Sequence, residues 1–452
     1  MKPSTNRLPP GPRARYPGQH LVAFARDRLG FLRHLSAHGD VAHVQFGNQH
    51  FAIINNPDYT RQILVTDNRN FTKGRGLERA KLLLGEGLLT SEGAFHLRQR
   101  RLAQPAFHRE RIDAYARVMV DHAARARERW VDGAIVDIHQ EMTRLTLGIA
   151  GKTLFDADVE GESREIGESL TAAFDVFNLA LFPFSELLDH LPLPWTLRFK
   201  AARRRLDSTI YRIIAERRAR AGDRGDLLSM LMAAQDTEGD GGRMTDTQLR
   251  DEIMTILLAG YETTANALTW TAYLLSQNPE AESRLLDELN CVLDGRLPVM
   301  ADVQRLSYTR MVFAESLRLY PPAWVLGYRA IKAFTLADYD LPARTILIIS
   351  PFITQRDARY FPDPERFNPD RWTHKAVAER PRFAYFPFGG GPRQCIGEQF
   401  AWAEGILLLA TIGQRWRLRL APEHAVALDP SFTLRPRGGM PMITHLRPSR
   451  LS

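Results

Sequence analysis

Two short apolar segments lie near the start of the chain, at residues 41–46 and 50–54. They flank Gly47-Asn48, which predicts a β-hairpin. Beyond them the apolar positions recur mainly at helical spacing. The predicted helices span 94–103, 111–132, 142–155, 199–221, 247–276, 279–293, 307–319 and 398–414, and short strands are predicted at 345–349 and 416–420. The predicted fold class is therefore mainly α with small β-sheets.

The helix over 247–276 has the best end signals. Thr245 and Gln248 fit a capping box, and Pro279 after Asn278 both ends this helix and begins the next one. About thirty residues at 1.5 Å each give a rise of roughly 45 Å, which is enough to cross a domain. A helix of that length must run through the core.

Composition excludes several classes of protein. With 44% hydrophobic and 25% charged residues, the 452-residue chain is too apolar to be disordered. Its two cysteines cannot form a disulfide framework or a four-thiolate metal site. No internal repeat or long flexible linker is visible, so one domain over residues 1–452 is the simplest interpretation.

Charge and the absence of targeting signals indicate the setting. Against 52 Asp and Glu there are 60 Lys and Arg, a formal net charge of +8. The basic residues are spread along the chain without a nucleic-acid-binding module, so we expect an acidic protein partner and no nucleic acid. The sequence has no secretory signal and no apolar run of about 18 residues, which predicts a cytoplasmic protein without a transmembrane anchor.

The segment 386–397 brings together glycines, an arginine and Cys395 just before a predicted helix. Glycines let the backbone adopt positive φ and approach a flat ligand closely. A cysteine at a helix N-terminus is stabilised as a thiolate. The alternative is a small buried side chain in a tight turn. Cys291 has no such surroundings and is interpreted as a packing residue.

This segment resembles the haem-binding signature of the cytochrome P-450 family, F-x-x-G-x-R-x-C-x-G. The matching residues are Phe388, Gly391, Arg393, Cys395 and Gly397, with Ala401 fitting the extended pattern. The resemblance implies the cytochrome P-450 fold as a single haem domain. It also implies haem b with Cys395 as the axial thiolate ligand of the iron. Phe388 would lie beside the sulfur, and Arg393 would bind a propionate.

A second motif lies in the long helix, where Ala259-Gly260-Tyr261-Glu262-Thr263-Thr264 resembles the family's A/G-G-x-D/E-T-T element. Gly260 and Thr263 would weaken the helical hydrogen bonds and leave space for dioxygen and water. By resemblance, Ala259 and Gly260 are cofactor-binding residues on the distal face of the haem. By resemblance, Glu262 and Thr263 form the acid–alcohol pair that delivers protons. The alternative is a core helix with a packing glycine and threonines bonded to their own backbone.

A third motif, E-x-x-R, is structural in the family. Glu315 and Arg318 lie three residues apart before Pro321, and a later arginine completes the triad. Pro364-Glu365-Arg366-Phe367 fits the family's letters better, but the spacing to the cysteine favours Arg371. Taken alone, such a pair is usually an exposed and weak ion pair.

Further cations are expected at the haem propionates. Residues 93–107 resemble the family's W-x-x-x-R helix with His96 in the tryptophan position and Arg100 in the arginine position. Arg329 is a further propionate candidate by resemblance. Arg98 and Arg101 fall on other faces of the helix, where we expect a solvated basic surface that could dock an electron donor.

The resemblance implies a monomeric haem-thiolate monooxygenase similar to soluble bacterial members. It would insert one atom of O2 into an apolar substrate, such as a fatty acid, terpenoid, steroid or polyketide. Electrons would come from a separate ferredoxin- or flavodoxin-type donor. Val325 and Leu326 are candidate pocket residues, together with 82–89 and the lid segment 174–184.

Two alternatives remain open. A haem-thiolate peroxygenase, or an isomerase or dehydratase acting on a peroxide, would keep the cofactor and change the reaction. Glu262 and Thr263 argue against it, because those reactions need less proton delivery to dioxygen. A haem sensor or a basic nucleic-acid-binding protein would be non-enzymatic and would show no substrate-induced spin shift of the haem.

Overall fold

Helices predominate in the part of the chain that the computed structural model describes, which comprises residues 7–156, 167, 169, 191, 193–219, 225–236 and 242–448. The α-helices of those residues are α1 (Gln19–Arg26), α2 (Arg28–Ser36), α3 (Pro57–Arg61), α4 (Arg75–Leu84), α5 (Gly93–Ala103), α6 (Arg109–Glu128), α7 (Ile138–Phe155), α8 (Pro194–Ala219), α9 (Leu227–Ala233), α10 (Asp246–Gln277), α11 (Pro279–Leu293), α12 (Ser307–Leu319), α13 (Pro351–Thr354), α14 (His374–Ala378) and α15 (Glu398–Gly413).

Among the described residues the strands are short and account for fewer residues than the helices. They are β1 (Val41–Phe46), β2 (Gln49–Ile54), β3 (Phe71–Lys73), β4 (Ile135–Asp137), β5 (Leu326–Ala330), β6 (Phe334–Leu336), β7 (Tyr339–Leu341), β8 (Ile346–Ile349), β9 (Trp416–Leu420), β10 (Leu428–Pro430), β11 (Leu434–Pro436) and β12 (Pro441–Leu446). The mainly α fold class with small sheets is confirmed. None of the helices in the described ranges is long and apolar enough to cross a membrane.

The predicted elements are confirmed with small differences at their ends. β1 and β2 form the predicted antiparallel hairpin, with Phe46 opposite Gln49. α7 begins at Ile138, four residues before the predicted start, because the Asp137 side chain accepts hydrogen bonds from the backbone of His139 and Gln140. β4 ends at Asp137, which caps the helix that follows immediately. The spacing of apolar residues does not reveal such a cap, so the predicted start was too late.

The chain groups into two compact units. The cysteine unit comprises Met1–Arg79, Arg318–Arg366 and Thr373–Cys395, and the helical unit comprises Ala80–Leu317, Phe367–Trp372 and Ile396–Ser452. Both units are discontinuous in sequence. The single domain over 1–452 stays a prediction.

A five-stranded sheet organises the cysteine unit, in the order β1-β2-β8-β5-β3. β2 and β8 are parallel, and the other neighbours are antiparallel. The sheet contributes to an apolar core that also takes in Leu64, Phe383 and Phe386. Because Phe386 is nine residues before Cys395, this core fixes the approach to the cysteine loop.

The helix α10 is the longest element among the described residues of the helical unit, at 32 residues. Its predicted capping box is confirmed: Thr245 Oγ1 accepts from the Gln248 amide, and Gln248 Oε1 accepts from the Thr245 amide. α10 packs most extensively against α7. The three-stranded sheet β4-β12-β9 and the hairpin β10–β11 complete the unit.

Candidate active site

The cysteine loop, residues 388–395, is shaped by glycines that touch the core of the cysteine unit. Gly391 has φ +67°, and a Cβ there would lie 2.0 Å from the carbonyl oxygen of Leu64. A Cβ at Gly390 would lie 2.5 Å from the Phe383 ring. Glycine is therefore required at 391 on two grounds, conformation and space. The loop backbone packs closely against Leu64 and Phe383 of the apolar core, which restricts its movement.

The loop closes on itself and presents its thiol. The Cys395 amide donates to the Phe388 carbonyl at 3.0 Å, and the Cys395 side chain is exposed. Phe388 and Arg393 are half-buried in the same loop. An accessible thiol on a constrained loop suits a soft, thiolate-binding metal such as haem iron.

Cys291 corrects the sequence interpretation. It was expected to be a buried packing residue, but it is exposed near the C-terminal end of α11. Helical spacing places it on the solvent face, because the neighbouring Leu289 and Leu293 take the buried positions.

β5 lies beside the cysteine loop within the same unit. The side chain of Leu326 points towards Gly389, since a Cβ on that glycine would be 3.9 Å from Leu326 Cδ1. Val325 and Leu326 are both half-buried. Arg329, on the same strand, donates two hydrogen bonds of 2.8 Å to Glu78. Its predicted propionate contact stays a prediction.

Arg318 ties together the segments that lead into the cysteine loop. The side chain is fully buried and donates to the carbonyl oxygens of Gln355, Pro364 and Arg366 at 2.6–3.1 Å. Gln355 returns the contact by donating to the Arg318 carbonyl, and its Oε1 accepts from the Phe386 amide. A buried cation here serves backbone acceptors that would otherwise lack donors.

In the helical unit, the Glu315 side chain binds the segment that contains Asn368, Arg371 and Trp372. Its fully buried carboxylate lies 3.3 Å from Arg371 Nε and accepts from the Asn368 amide at 2.9 Å. Trp372 Nε1 donates to the same carboxylate at 3.0 Å. The tryptophan, a departure from the family's phenylalanine, thus adds a hydrogen bond that phenylalanine could not make.

The middle of α10 has an opening. From Leu249 to Thr271 every residue is buried except Ala259, Gly260 and Thr263, which share one face. A Cβ on Gly260 would have its nearest neighbour, a methyl group of Leu154, at 3.9 Å. This exposed patch in an otherwise buried helix has room for a ligand.

Thr263 lies on this opening with its hydroxyl turned back to the helix. Thr263 Oγ1 donates to the Ala259 carbonyl at 2.7 Å, and Thr264 Oγ1 donates to the Gly260 carbonyl at 3.3 Å. The predicted backward bonding of threonine is confirmed, although the helix is continuous here. The two extra donors share carbonyls with the helical ladder and soften it locally.

Glu262 is buried in the same helix, only 7% exposed. Its Oε1 accepts from Thr433 Oγ1 at 2.6 Å, and Oε2 has no hydrogen-bond partner among the described residues. Burial raises the pKa of Glu262 to about 7, against the opposing effects of the Thr433 hydrogen bond and Arg435. A carboxyl group with this pKa can both hold and release a proton near neutrality.

The predicted propionate residues on α5 are inside the helical unit. His96 is 3% exposed, and its Nδ1 lies 3.1 Å from the Leu88 carbonyl, so this nitrogen carries a proton and donates. Arg100 follows one turn later and is half-buried. Gly397 and Ala401, at the start of α15, are also half-buried.

The arginines predicted to form a solvated docking surface are paired within the protein. Arg98 Nε lies 3.4 Å from Asp236 and is only 14% exposed, so a solvated position is wrong for this residue. Arg101 donates to the same carboxylate at 3.0 Å. Asp236, distant in sequence, supplied no signal that could have revealed this pairing.

Of the predicted pocket segments, 174–184 lies outside the described residues. In 82–89, Leu83 and Leu84 are buried at the end of α4, while Leu82 is exposed. The Leu88 amide donates to Glu252 at 3.0 Å. This segment is therefore held to α10 by a hydrogen bond to a buried carboxyl group.

Two buried glutamates were missed by sequence reasoning. Burial raises the pKa of Glu404, on α15, to about 8, and its hydrogen bond with the Thr264 side chain opposes this. Burial also raises the pKa of Glu252 to about 7. Neither residue belongs to a motif, and their partners are distant in sequence.

The donor set fits an iron porphyrin. Within the cysteine unit, an exposed thiol lies on a glycine loop that also carries Arg393, and Arg329 lies on β5. The helical unit, taken by itself, has His96 and Arg100 on α5, side chains that can bind carboxylates. Its helix α10 also carries an opening and a buried acid, which suit a reaction that consumes protons.

Known proteins resemble this chain over most of its length. The family model described as Cytochrome P450 matches residues 9–440. Cyclooctatin synthase of Streptomyces melanosporofaciens is 42% identical over 418 residues, which are 92% of this chain and 91% of that protein. Pentalenene oxygenase of Streptomyces avermitilis is 37% identical over 90% of each chain.

A second Streptomyces melanosporofaciens protein, cyclooctat-9-en-7-ol 5-monooxygenase, is 38% identical over 89% of this chain and 88% of that one. Among solved structures, the crystal structure of the cytochrome P450DA heme domain superimposes with a TM-score of 0.87 at 25% identity, covering 98% of both chains. The whole described fold is thus shared with a haem domain.

Proposed function

The chain belongs to the cytochrome P450 family, and on that premise we propose that Cys395 ligates its haem and that its substrate is a cyclic terpenoid. The protein is a haem-thiolate monooxygenase with haem b held by a cysteine thiolate. The observation that carries the ligand assignment is the exposed thiol of Cys395 on a loop where neither Gly390 nor Gly391 has room for a Cβ.

Four cationic or hydrogen-bonding side chains would hold the haem propionates. They are Arg393, Arg329, His96 and Arg100. When bound, the haem supplies dioxygen binding, stepwise reduction and oxygen transfer. The protein contributes the thiolate, which donates electron density, and the open patch at Ala259 and Gly260, which leaves room for dioxygen and water.

Glu262 and Thr263 are the proposed proton-delivering pair. With a pKa near 7, Glu262 is present in both protonation states at neutral pH, and the proton can be held at Oε2. The Thr263 hydroxyl lies at the opening, where it can exchange its bond to the Ala259 carbonyl for one to water. Together they would pass protons from the interior to the opening.

Substitution of Glu262 tests this role. Glu262→Gln keeps the shape and removes the acid, so coupled product formation should fall about 100-fold, with oxygen diverted to peroxide. Product and hydrogen peroxide per O2 consumed would be measured in parallel. The control is Thr271→Val, which removes a buried hydroxyl bonded only to its own helix and should leave coupling unchanged. Unchanged coupling in Glu262→Gln would contradict the assignment.

The terpenoid assignment rests on the relatives. Pentalenene oxygenase and cyclooctat-9-en-7-ol 5-monooxygenase are named for cyclic terpenoids. The half-buried apolar side chains of Val325 and Leu326 support an apolar substrate. Titration with cyclic terpenoid hydrocarbons and alcohols should shift the haem spin state at micromolar concentration. A shift produced by long-chain fatty acids or steroids and not by terpenoids would overturn the proposal.

A separate ferredoxin- or flavodoxin-type protein is the proposed electron donor. The net charge of +8 favours an acidic partner. The rate of haem reduction by an acidic ferredoxin should therefore fall steeply as ionic strength rises. A rate independent of salt would contradict electrostatic steering. A monomeric state and a cytoplasmic location remain predictions from the sequence.

A further inference from the structure

Glu262 stands at one end of a chain of hydrogen bonds that reaches a second helix. Thr433 Oγ1 lies 2.6 Å from Glu262 Oε1, and Asn266 Nδ2 lies 3.0 Å from Thr433 Oγ1. Asn266 Oδ1 lies 3.1 Å from His139 Nε2. Thr433 comes from the turn between β10 and β11, and His139 from the first turn of α7.

This chain of hydrogen bonds is buried, and neighbouring contacts hold its residues in place. Asn266 is fully buried, and Thr433 is 3% exposed. Trp270, one turn after Asn266, donates to the Leu434 carbonyl at 2.9 Å and holds the start of β11 against α10. The backbone around Thr433 is therefore fixed, which limits the hydrogen-bond partners that its hydroxyl can reach.

The chemistry of these groups gives the chain a direction. An amide N–H only donates, so Thr433 accepts from Asn266, and the single hydroxyl proton of Thr433 points to Glu262. With its nitrogen turned to Thr433, Asn266 offers its oxygen to His139, which must then carry a proton on Nε2. Every donor in the chain points towards the carboxyl group.

We propose that Thr433, Asn266 and His139 are positioning residues that keep the acidic proton of Glu262 on Oε2. Oε1 receives the Thr433 proton, and the carbonyl oxygen of a protonated carboxyl group is a stronger acceptor than its hydroxyl oxygen. This hydrogen bond therefore favours the form of Glu262 that carries its own proton on the other oxygen. Oε2 is the atom without a partner among the described residues. The role of that proton in oxygen activation rests on the proposed function.

Charged and titratable groups around the carboxyl group come from three directions. Arg435 and Asp429, on β11 and β10, lie 2.8 Å apart and act on Glu262 with opposite signs. Tyr261 precedes it on α10, and His139 on α7 is kept towards its neutral form by burial, which lowers its pKa. The Thr433 hydrogen bond stabilises the ionised carboxylate, so its removal should raise the pKa of Glu262 further.

Infrared spectroscopy of the full purified chain tests the proposal at Glu262 itself. The protonated-carboxyl stretch would be assigned by its loss in Glu262→Gln and titrated with pH. Thr433→Val should shift this band to higher frequency and raise its midpoint by about one pH unit, because the carboxyl loses a donor. Thr433→Ser should restore both, and Thr271→Val should change neither.

Coupled turnover gives the second readout. Thr433→Val should lower product per O2 consumed by about tenfold without changing the spin shift that substrate produces, while Thr433→Ser stays near wild type. An unchanged band and midpoint in Thr433→Val would overturn the proposal. The spectrum of the reduced, CO-bound protein separates the two claims: if it lacks a thiolate signature the proposed function fails, whereas the infrared titration still decides the positioning role.

Discussion

The cysteine loop and the middle of α10 carry complementary chemistry but are built in opposite ways. In the loop, the positive φ at Gly391 and the closing bond from Cys395 to Phe388 involve residues close together in the sequence, while the backbone contact with Leu64 comes from a distant segment. In α10, burial raises the pKa of Glu262, and the hydroxyl that bonds its carboxyl group belongs to Thr433, 171 residues away. A motif can encode a backbone shape, but the proton affinity of a side chain depends on what the fold brings to it.

The largest expected effect in the cysteine unit is that of Arg318→Met. It would leave the carbonyl oxygens of Gln355, Pro364 and Arg366 without their buried donor, which should cost about 3–5 kcal/mol of unfolding free energy. Urea denaturation measures this. The matched control is Arg33→Met, whose partner Glu365 is 3.8 Å away with both side chains exposed, and about 1 kcal/mol or less is expected there. Equal losses in the two variants would show that the loop does not depend on the buried cation.

The helical unit should instead be sensitive to pH. The folded pKa of Glu404, about 8, lies above its unfolded value near 4.5, so its favourable contribution is full below pH 4.5 and is lost as pH rises through 8. Glu404→Gln should remove that loss, making the variant about 3 kcal/mol more stable relative to wild type at pH 8 than at pH 5. Urea denaturation at the two pH values measures the difference, with the exposed Glu280→Gln as control. If the unfolding free energies of wild type and Glu404→Gln change equally between the two pH values, Glu404 does not have a raised pKa in the folded protein.

The smallest expected effect compares two glycines of the same loop. Gly389 and Gly391 have φ +72° and +67°, so alanine is strained at both positions. Only the alanine at 391 would also meet a backbone oxygen, 2.0 Å from its Cβ, whereas at 389 the nearest atom is 3.9 Å away. Gly391→Ala should therefore be less stable than Gly389→Ala by about 1–2 kcal/mol in thermal or urea unfolding. If the two variants are equally stable, the positive φ alone explains why glycine is required, and the contact with Leu64 adds nothing.

Sequence reasoning succeeded where structure is local. The ends of α10 follow from Thr245, Gln248 and Pro279, and the hairpin β1–β2 follows from the glycine turn. The motif predicted the loop that carries Cys395 because Gly389 and Gly391 adopt positive φ, which is a local backbone requirement.

It failed where a partner is remote. Asp236 pairs with Arg98, which is partly buried and not part of a solvated surface. The interpretation of Cys291 was wrong for a local reason, because helical spacing from Leu289 and Leu293 places it on the solvent face. The Thr433–Asn266–His139 chain joins three segments whose spacing carries no periodic signal. Such contacts arise from packing, so they appear only when the fold is known.

The most direct test of the central claim is the spectrum of the reduced, CO-bound protein. Wild type and Cys291→Ser should both show the signature of thiolate-ligated haem, and Cys395→Ser should lose it while staying folded. Because both cysteines are exposed, the pair controls for thiol chemistry in general. A wild-type spectrum without that signature, or one that survives in Cys395→Ser, would contradict the assignment of Cys395 as the iron ligand.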